Sequence, residues 1–136
     1  MPLRQYRRLM APPKGSFFLL GVRGVGKSTW TRAVFPDAHV VDLLDESRYQ
    51  TLLAHPGLLA PELRALPRQR VVVLDEIQRI PALLNEVHRA IEGERRRFVL
   101  LGSSARRLKT ANTNLLAGRA AVRTMYPLAP VELGTD

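Results

Sequence analysis

The chain has 136 residues, no cysteine, 46% hydrophobic residues and a net charge of +9. The length suits one domain, residues 1–136, and the composition excludes a disordered protein, while the missing cysteine excludes disulfides, thiol catalysis and thiolate metal sites. No apolar run is long enough for a membrane span or a signal peptide, so we expect a cytoplasmic protein without membrane contact.

The positive charge comes almost entirely from arginine and leaves two interpretations open. A basic surface gains affinity for DNA or RNA by releasing counterions. Runs such as 7–8, 95–97 and 106–107 can equally follow from arginine-rich background usage, and aromatic residues, at 6%, are few for a base-stacking surface. Residues 1–14 form a basic arm, read either as a solvated tail or as a segment near a bound nucleotide.

Apolar runs along the chain predict strands that alternate with helices. The runs typical of buried strands are residues 16–20, 39–44, 70–75, 97–101 and, more weakly, 120–125. The predicted helices are 27–35, closed by a proline, the short pieces 46–54 and 61–66, and 81–93. This alternation indicates one α/β domain with a parallel sheet.

The stretch GVRGVGKST lies between the first strand and the first helix and fits the phosphate-loop pattern G-x-x-x-x-G-K-[ST]. Its glycines allow successive N–H groups to point at phosphate oxygens, and the helix adds its positive dipole end. Lys27 is expected to reach the β- and γ-phosphates, and the Ser28 hydroxyl to ligate Mg²⁺. The residues expected to surround the phosphates are Gly21, Gly24, Val25, Gly26, Lys27, Ser28 and Thr29, the last being equally plausible as a structural threonine.

Two later strands end in polar residues that suit the same chemistry. Asp75 follows the apolar run 71–74, at the strand end where open α/β sheets bind ligands, and it can hold Mg²⁺ beside Ser28. Glu76 is then free to orient or deprotonate an attacking water. Ser103 or Ser104, after the 97–101 strand, either helps to position that water or caps a turn.

These residues resemble the P-loop ATPases of the AAA superfamily, in the division with an additional central strand and a catalytic glutamate. GVRGVGKST resembles Walker A, VVVLDEIQRIP resembles Walker B with its glutamate, and FVLLGSSARRL resembles the sensor-1 strand. NLLAGRAAVRTMYPLAPVEL is similar to a prokaryotic group of AAA-type ATP-binding proteins that usually carries an uncharacterised second domain.

The resemblance implies a three-layer fold with strand order 5-1-4-3-2, helices on both faces of the sheet, and hydrolysis of Mg-ATP. It assigns Glu76 to water activation and Ser103 to the sensor. Arg119 is either an arginine finger acting on a neighbouring subunit, in a homo-oligomer, or a solvated arginine before the last strand. Such ATPases normally carry a helical lid after the core, whereas this sequence stops at Asp136, either because the gene product is naturally short or because this is a fragment of a longer protein.

Other functions remain as alternatives. One is a basic module that binds DNA or RNA, or acts as a nucleotide switch, with little or no turnover. A GTPase is disfavoured because no N-K-x-D motif is found and DEIQ replaces the expected D-x-x-G. A small-molecule kinase is disfavoured because the Asp75–Glu76 pair favours water as the acceptor.

Overall fold

The computed structural model describes residues 11–22, 24–103 and 120–126. Within these ranges the strands are β1 (Phe17–Leu20), β2 (His39–Asp42), β3 (Val72–Asp75), β4 (Phe98–Gly102) and β5 (Ala121–Thr124). The α-helices are α1 (Lys27–Val34), α2 (Glu46–Ala54), α3 (Leu59–Arg64) and α4 (Leu83–Glu94), with 3₁₀ turns at Pro56–Leu58 and Ile77–Arg79. No helix in the described ranges is long and apolar enough to cross a membrane.

The five strands form one parallel sheet in the order β2-β3-β4-β1-β5. Read from the other edge, this is the predicted order 5-1-4-3-2, which is therefore confirmed. Because all strands run the same way, the segments that follow β1, β3 and β4 emerge at one edge of the sheet. β4 separates β1 from β3, so a side chain after β1 must reach across one strand to meet Asp75.

Helices cover both faces of the sheet, as predicted. Successive strand residues point to opposite faces, so neighbouring residues enter different clusters of the core. Phe18 and Leu74 lie in the cluster that receives α2, α3 and α4. Phe17 and Val73 lie in the other cluster, where Trp30 of α1 packs edge-on against Phe17. The site at the carboxyl edge thus rests on a strand layer that is apolar on both sides.

Several element boundaries differ from the predicted ones for reasons of local chemistry. α4 begins at Leu83 rather than Pro81, because residues 80–84 first form a turn in which Leu83 N–H donates to the Ile80 carbonyl. α3 begins at Leu59, which places Pro61 inside the first turn. Proline is tolerated there because the first N–H groups of a helix have no partner within it.

Two arginines of the run 95–97 have structural contacts rather than forming an open basic patch. Arg96 is buried, and its guanidinium donates hydrogen bonds to the carbonyls of Leu63, Leu66 and Pro67. Arg97 donates to carbonyls in the segment before β1 and stacks on the Phe35 ring. Net charge therefore overstates the basic surface that this run could offer to nucleic acid.

Candidate phosphate and magnesium site

The glycine-rich loop between β1 and α1 is closely packed against the end of the sheet. A Cβ on Gly21 would lie 2.4 Å from the backbone oxygen of Met125, so only glycine fits between the loop and the segment after β5. Gly26 has a φ of 102°, a left-handed conformation, and stands directly before the first residue of α1. Glycine adopts this conformation without the cost that a side chain would bring, and so lets the helix begin at once.

Lys27, the first residue of α1, is only 6% exposed and bends back over the loop. Its ammonium group donates hydrogen bonds to the carbonyls of Gly21, at 2.6 Å, and Val22, at 3.1 Å. The cationic group is thus held at the mouth of the loop by two neutral acceptors. A ligand with anionic oxygens offers stronger charge-assisted partners to the same group.

The loop and the third strand meet through one side-chain hydrogen bond. The Ser28 hydroxyl donates to a carboxylate oxygen of Asp75 at 3.0 Å, although 47 residues separate them in the sequence. Asp75 is the last residue of β3, and its register partner on β2 is Asp42, also the last residue of its strand. A hydroxyl and a carboxylate therefore share one point at the carboxyl edge, with a second carboxylate on the neighbouring strand.

The Asp75 carboxyl lies in surroundings that disfavour its negative charge. Burial raises its pKa above the ordinary value of 3.8, and the carboxylates of Asp42 and Glu76 raise it further. The Ser28 hydrogen bond and the charge of Lys27 act in the opposite direction but do not cancel the rise. A divalent cation would relieve this crowding, and Ser and Asp oxygens are ligands that Mg²⁺ accepts. The donor set therefore fits Mg²⁺ held jointly with phosphate oxygens.

A cavity of about 320 Å³ opens beside these groups. Its lining residues come from the loop, from the first turn of α1, and from the ends of β2 and β3: Gly24, Gly26, Lys27, Ser28, Thr29, Leu44, Asp75 and Glu76. A larger cavity of about 640 Å³ lies at the amino ends of β2 and β3 and is lined by residues 34–38, 67 and 69–71. We place the site in the smaller cavity because it alone of the two combines a phosphate-type loop with the Ser28–Asp75 pair.

Glu76 occupies an unusual backbone position directly after β3. It has φ 63° and ψ 47°, the left-handed conformation, and is 5% exposed. For a residue with a side chain this conformation is uncommon, and it is found more often at functional sites than elsewhere. Its carboxylate oxygen lies 3.5 Å from the Ser103 hydroxyl, which follows β4. The predicted pair of acid and sensor serine is thus brought together.

The structure also shows what the sequence did not reveal. Gln78 donates hydrogen bonds to both Glu76 and Ser103, and no motif pointed to it. In the sequence Gln78 is only the last residue of DEIQ, and it could not be distinguished there from a surface residue of a turn.

Val25, another of the predicted loop residues, lies within the loop, where its N–H donates to the Val22 carbonyl. Ser104, Arg119 and the arm residues 1–10 lie outside the described residues.

Three features together define an AAA-type P-loop ATPase core. They are a parallel sheet with β4 between β1 and β3, a glycine loop that leads into α1, and a serine–aspartate pair that joins α1 to the end of β3. The model of a family described as "AAA domain" matches residues 14–133. The chain belongs to this family.

Solved structures of low sequence identity share the fold. The Walker-type ATPase PABY2304 of Pyrococcus abyssi is 18% identical, with a TM-score of 0.60 over 96% of this chain and 53% of that one. The ORC2 protein of Aeropyrum pernix, in its ADP form, is 16% identical, with a TM-score of 0.53 over 98% of this chain and 48% of that one. This chain thus spans about half the length of either protein. A search of curated proteins found no match.

Proposed function

We propose that the chain binds Mg-ATP in the 320 Å³ cavity and hydrolyses it to ADP and phosphate. The observation that carries the proposal is the 3.0 Å hydrogen bond between Ser28 and Asp75, which joins the phosphate-type loop to the acidic end of β3. Family membership supports a nucleotide as the ligand.

The loop residues bind the triphosphate in this proposal. Backbone N–H groups of Gly24 and of residues 26–29, at the start of α1, offer donors and a positive dipole end to the phosphate oxygens. Lys27 leaves its two carbonyl partners for the β- and γ-phosphates, where its charge is better matched. Thr29, exposed at the cavity, adds a hydroxyl.

Ser28 and Asp75 would hold Mg²⁺ at the phosphates. When bound, the ion neutralises charge on the phosphate oxygens and orients them. The Ser28 oxygen would be a ligand of the ion, and the ionised form of Asp75 would become favourable beside its charge. The neighbouring carboxylates at this edge are therefore more favourable when Mg²⁺ and nucleotide are bound.

Glu76 acts as the group that orients and deprotonates the attacking water. Glu76 lines the cavity next to Asp75, and its burial keeps its side chain away from bulk water. Ser103, at the end of the strand between β1 and β3, contacts Glu76 and serves as the sensor of the terminal phosphate.

Two further expectations concern partners. Arg119 as an arginine finger requires a second copy of the chain, so we expect turnover to rise with protein concentration if the chain assembles into a homo-oligomer. Without a finger the rate of phosphoryl transfer is lower by about 10³- to 10⁵-fold, which makes the isolated chain slow. Contact with DNA or RNA stays a prediction from net charge, to be checked by the salt dependence of binding.

The test is phosphate release under single-turnover conditions, with protein in excess over Mg-ATP, because slow turnover is then still measurable. Glu76→Gln should bind ATP as the wild type does and lose about 10²- to 10⁴-fold in rate, the usual contribution of a general base. The control is Glu92→Gln, an exposed glutamate of α4, which should change neither quantity. Unchanged hydrolysis in Glu76→Gln, or ATP binding by the wild type without any hydrolysis, would contradict the proposal.

A further inference from the structure

Gln78 contacts both Glu76, which we place beside the attacking water, and Ser103, which we place at the terminal phosphate. It lies in the 3₁₀ turn that follows Glu76 and is 6% exposed. Its amide nitrogen donates to a carboxylate oxygen of Glu76 at 2.9 Å and to the Ser103 hydroxyl at 3.0 Å. One amide group, with its two hydrogens, therefore joins the end of β3 to the end of β4.

The orientation of this amide follows from its partners. With nitrogen and oxygen exchanged, the amide oxygen would face the Glu76 carboxylate, and two acceptors would repel each other. In the orientation present, the Gln78 carbonyl oxygen is buried and has no hydrogen-bond partner within the described part of the chain. Burying an unpaired polar atom costs stability, so an apolar side chain would fill this turn more favourably. The glutamine is thus better explained by its two contacts than by packing.

The backbone of the turn holds the amide in place. The left-handed conformation of Glu76 redirects the chain at the end of β3. Ile77 and Ile80, on either side of Gln78, are both buried in the core cluster under α2, α3 and α4. The turn is therefore anchored on its apolar side, while its polar side chain is directed to Glu76 and Ser103.

The hydrogen bond from Gln78 limits where the hydroxyl hydrogen of Ser103 can point. Because the Ser103 oxygen accepts a hydrogen from Gln78, the hydroxyl hydrogen is available to a different acceptor. Within the described residues the acceptor that it meets is Glu76, at the long distance of 3.5 Å. Such a long hydrogen bond is weak and can be exchanged for a phosphate oxygen at little cost.

We propose that Gln78 is a positioning residue that holds the Glu76 carboxylate in place and fixes the Ser103 hydroxyl as a donor toward the terminal phosphate of bound ATP. The proposal rests on the proposed function and refines it. Gln78 touches neither water nor phosphate in this scheme and acts through its two neighbours. Its loss should lower the rate of hydrolysis and leave ATP affinity nearly unchanged.

The test replaces Gln78 with methionine, which has a similar volume and no donor. Gln78→Met should lower the single-turnover rate by about 10- to 100-fold, since small misplacements of a reacting group cost up to about 10²-fold. The dissociation constant for Mg-ATP should stay within about twofold. The control is Gln50→Met, which removes a similar amide–carboxylate hydrogen bond, with Glu46, at an exposed position of α2 and should change neither quantity.

A second comparison separates positioning from a general structural effect. In the Glu76→Gln background, the further change Gln78→Met should cost clearly less than the roughly 10- to 100-fold expected in the wild type, because Glu76, one of the two groups on which Gln78 acts, is already lost. A full additional loss in the double variant would overturn the proposal, as would a wild-type rate in Gln78→Met alone. A wild type that binds ATP without hydrolysing it would instead defeat the proposed function itself.

A spectroscopic measurement keeps the proposal testable if Gln78→Met does not fold. The side-chain amide signals of Gln78 in the isotope-labelled wild type, assigned through their correlations to the Gln78 side-chain carbons, should show slow hydrogen exchange and should shift in Ser103→Ala. A non-hydrolysable ATP analogue with Mg²⁺ should shift them more than ADP does, because the terminal phosphate becomes a partner of Ser103. Fast exchange and signals that respond to neither change would overturn the proposal.

Discussion

Two carboxylates of this protein, Glu62 and Asp75, are partly buried in different regions and have opposite electrostatic surroundings. Glu62 lies on α3 and accepts two hydrogen bonds from Arg48 of α2, at 3.0 and 2.7 Å, and pairs with His39 of β2 at 2.7 Å. Asp75 has a hydroxyl as its hydrogen-bond donor and two carboxylates nearby. The first carboxylate is neutralised within the fold, and the second is left with excess negative charge.

The two pKa shifts express this difference. Burial acts to raise the pKa of Glu62, but the hydrogen bonds and charges of Arg48 and His39 outweigh it and bring the pKa below its ordinary value of 4.5. Burial likewise raises the pKa of Asp75, and there the neighbouring acids add to the rise. A carboxylate that stabilises the fold is paired with cationic side chains of the same chain, whereas one that binds a ligand is stabilised by a cation that comes with the ligand.

The largest effect expected from this difference concerns magnesium. Asp75→Asn should weaken the Mg²⁺-dependent part of ATP binding by about 10- to 100-fold, the usual loss when an interaction that supports a metal site is removed. Glu62→Gln should leave it unchanged, because its ion pair with Arg48 joins α2 to α3 and includes no residue of the cavity lining. Titrating each variant with ATP at several Mg²⁺ concentrations measures this directly. Equal Mg²⁺ dependence of ATP binding in wild type and Asp75→Asn would contradict the role in Mg²⁺ binding that we give to Asp75 and not to Glu62.

The next effect concerns stability, where the two substitutions should act in opposite directions. Without nucleotide at neutral pH, Asp75→Asn should raise the free energy of unfolding by about 1 kcal/mol, as often happens when a strained functional group is removed. Glu62→Gln should lower it by about 1 kcal/mol through loss of a bidentate pair that is only partly exposed. Denaturant titration measures both changes, and the same sign in both variants would contradict the comparison.

The smallest effect concerns pH. Because folding lowers the pKa of Glu62, its contribution is complete above about pH 4.5 and is lost as the pH falls through the lower folded value. Folding raises the pKa of Asp75, so its destabilising effect is absent below about pH 3.8 and grows as the pH rises through the raised folded value. The stability difference between wild type and each variant should therefore shrink toward low pH. A difference that stays constant between pH 7 and about pH 2 would rule out titration as its cause.

Local patterns in the sequence predicted the sheet, the loop and the acidic pair, because each depends on residues close together along the chain. The apolar run before Asp75 and the glycines before Lys27 are signals of this kind. The strand order came from the resemblance to a family, since no local pattern specifies which strands become neighbours.

Features that depend on register between distant segments could not be predicted. Asp42 faces Asp75 because β2 and β3 end at the same level, and nothing in either strand specifies that alignment. Gln78 reaches Ser103 only because Glu76 adopts a left-handed conformation, which the residue type disfavours. The pairing of Glu62 with Arg48 likewise depends on how α2 and α3 pack.

The central claim is that the loop beside Asp75 binds the phosphates of ATP, and a calorimetric titration with Mg-ATP tests it most directly. Wild type and Lys14→Ala, which removes an exposed lysine before β1, should bind with the same affinity. Lys27→Ala should lose at least about 100-fold, because the cation that faces the phosphates is gone. Equal affinity in all three proteins, or no binding by the wild type, would contradict the account.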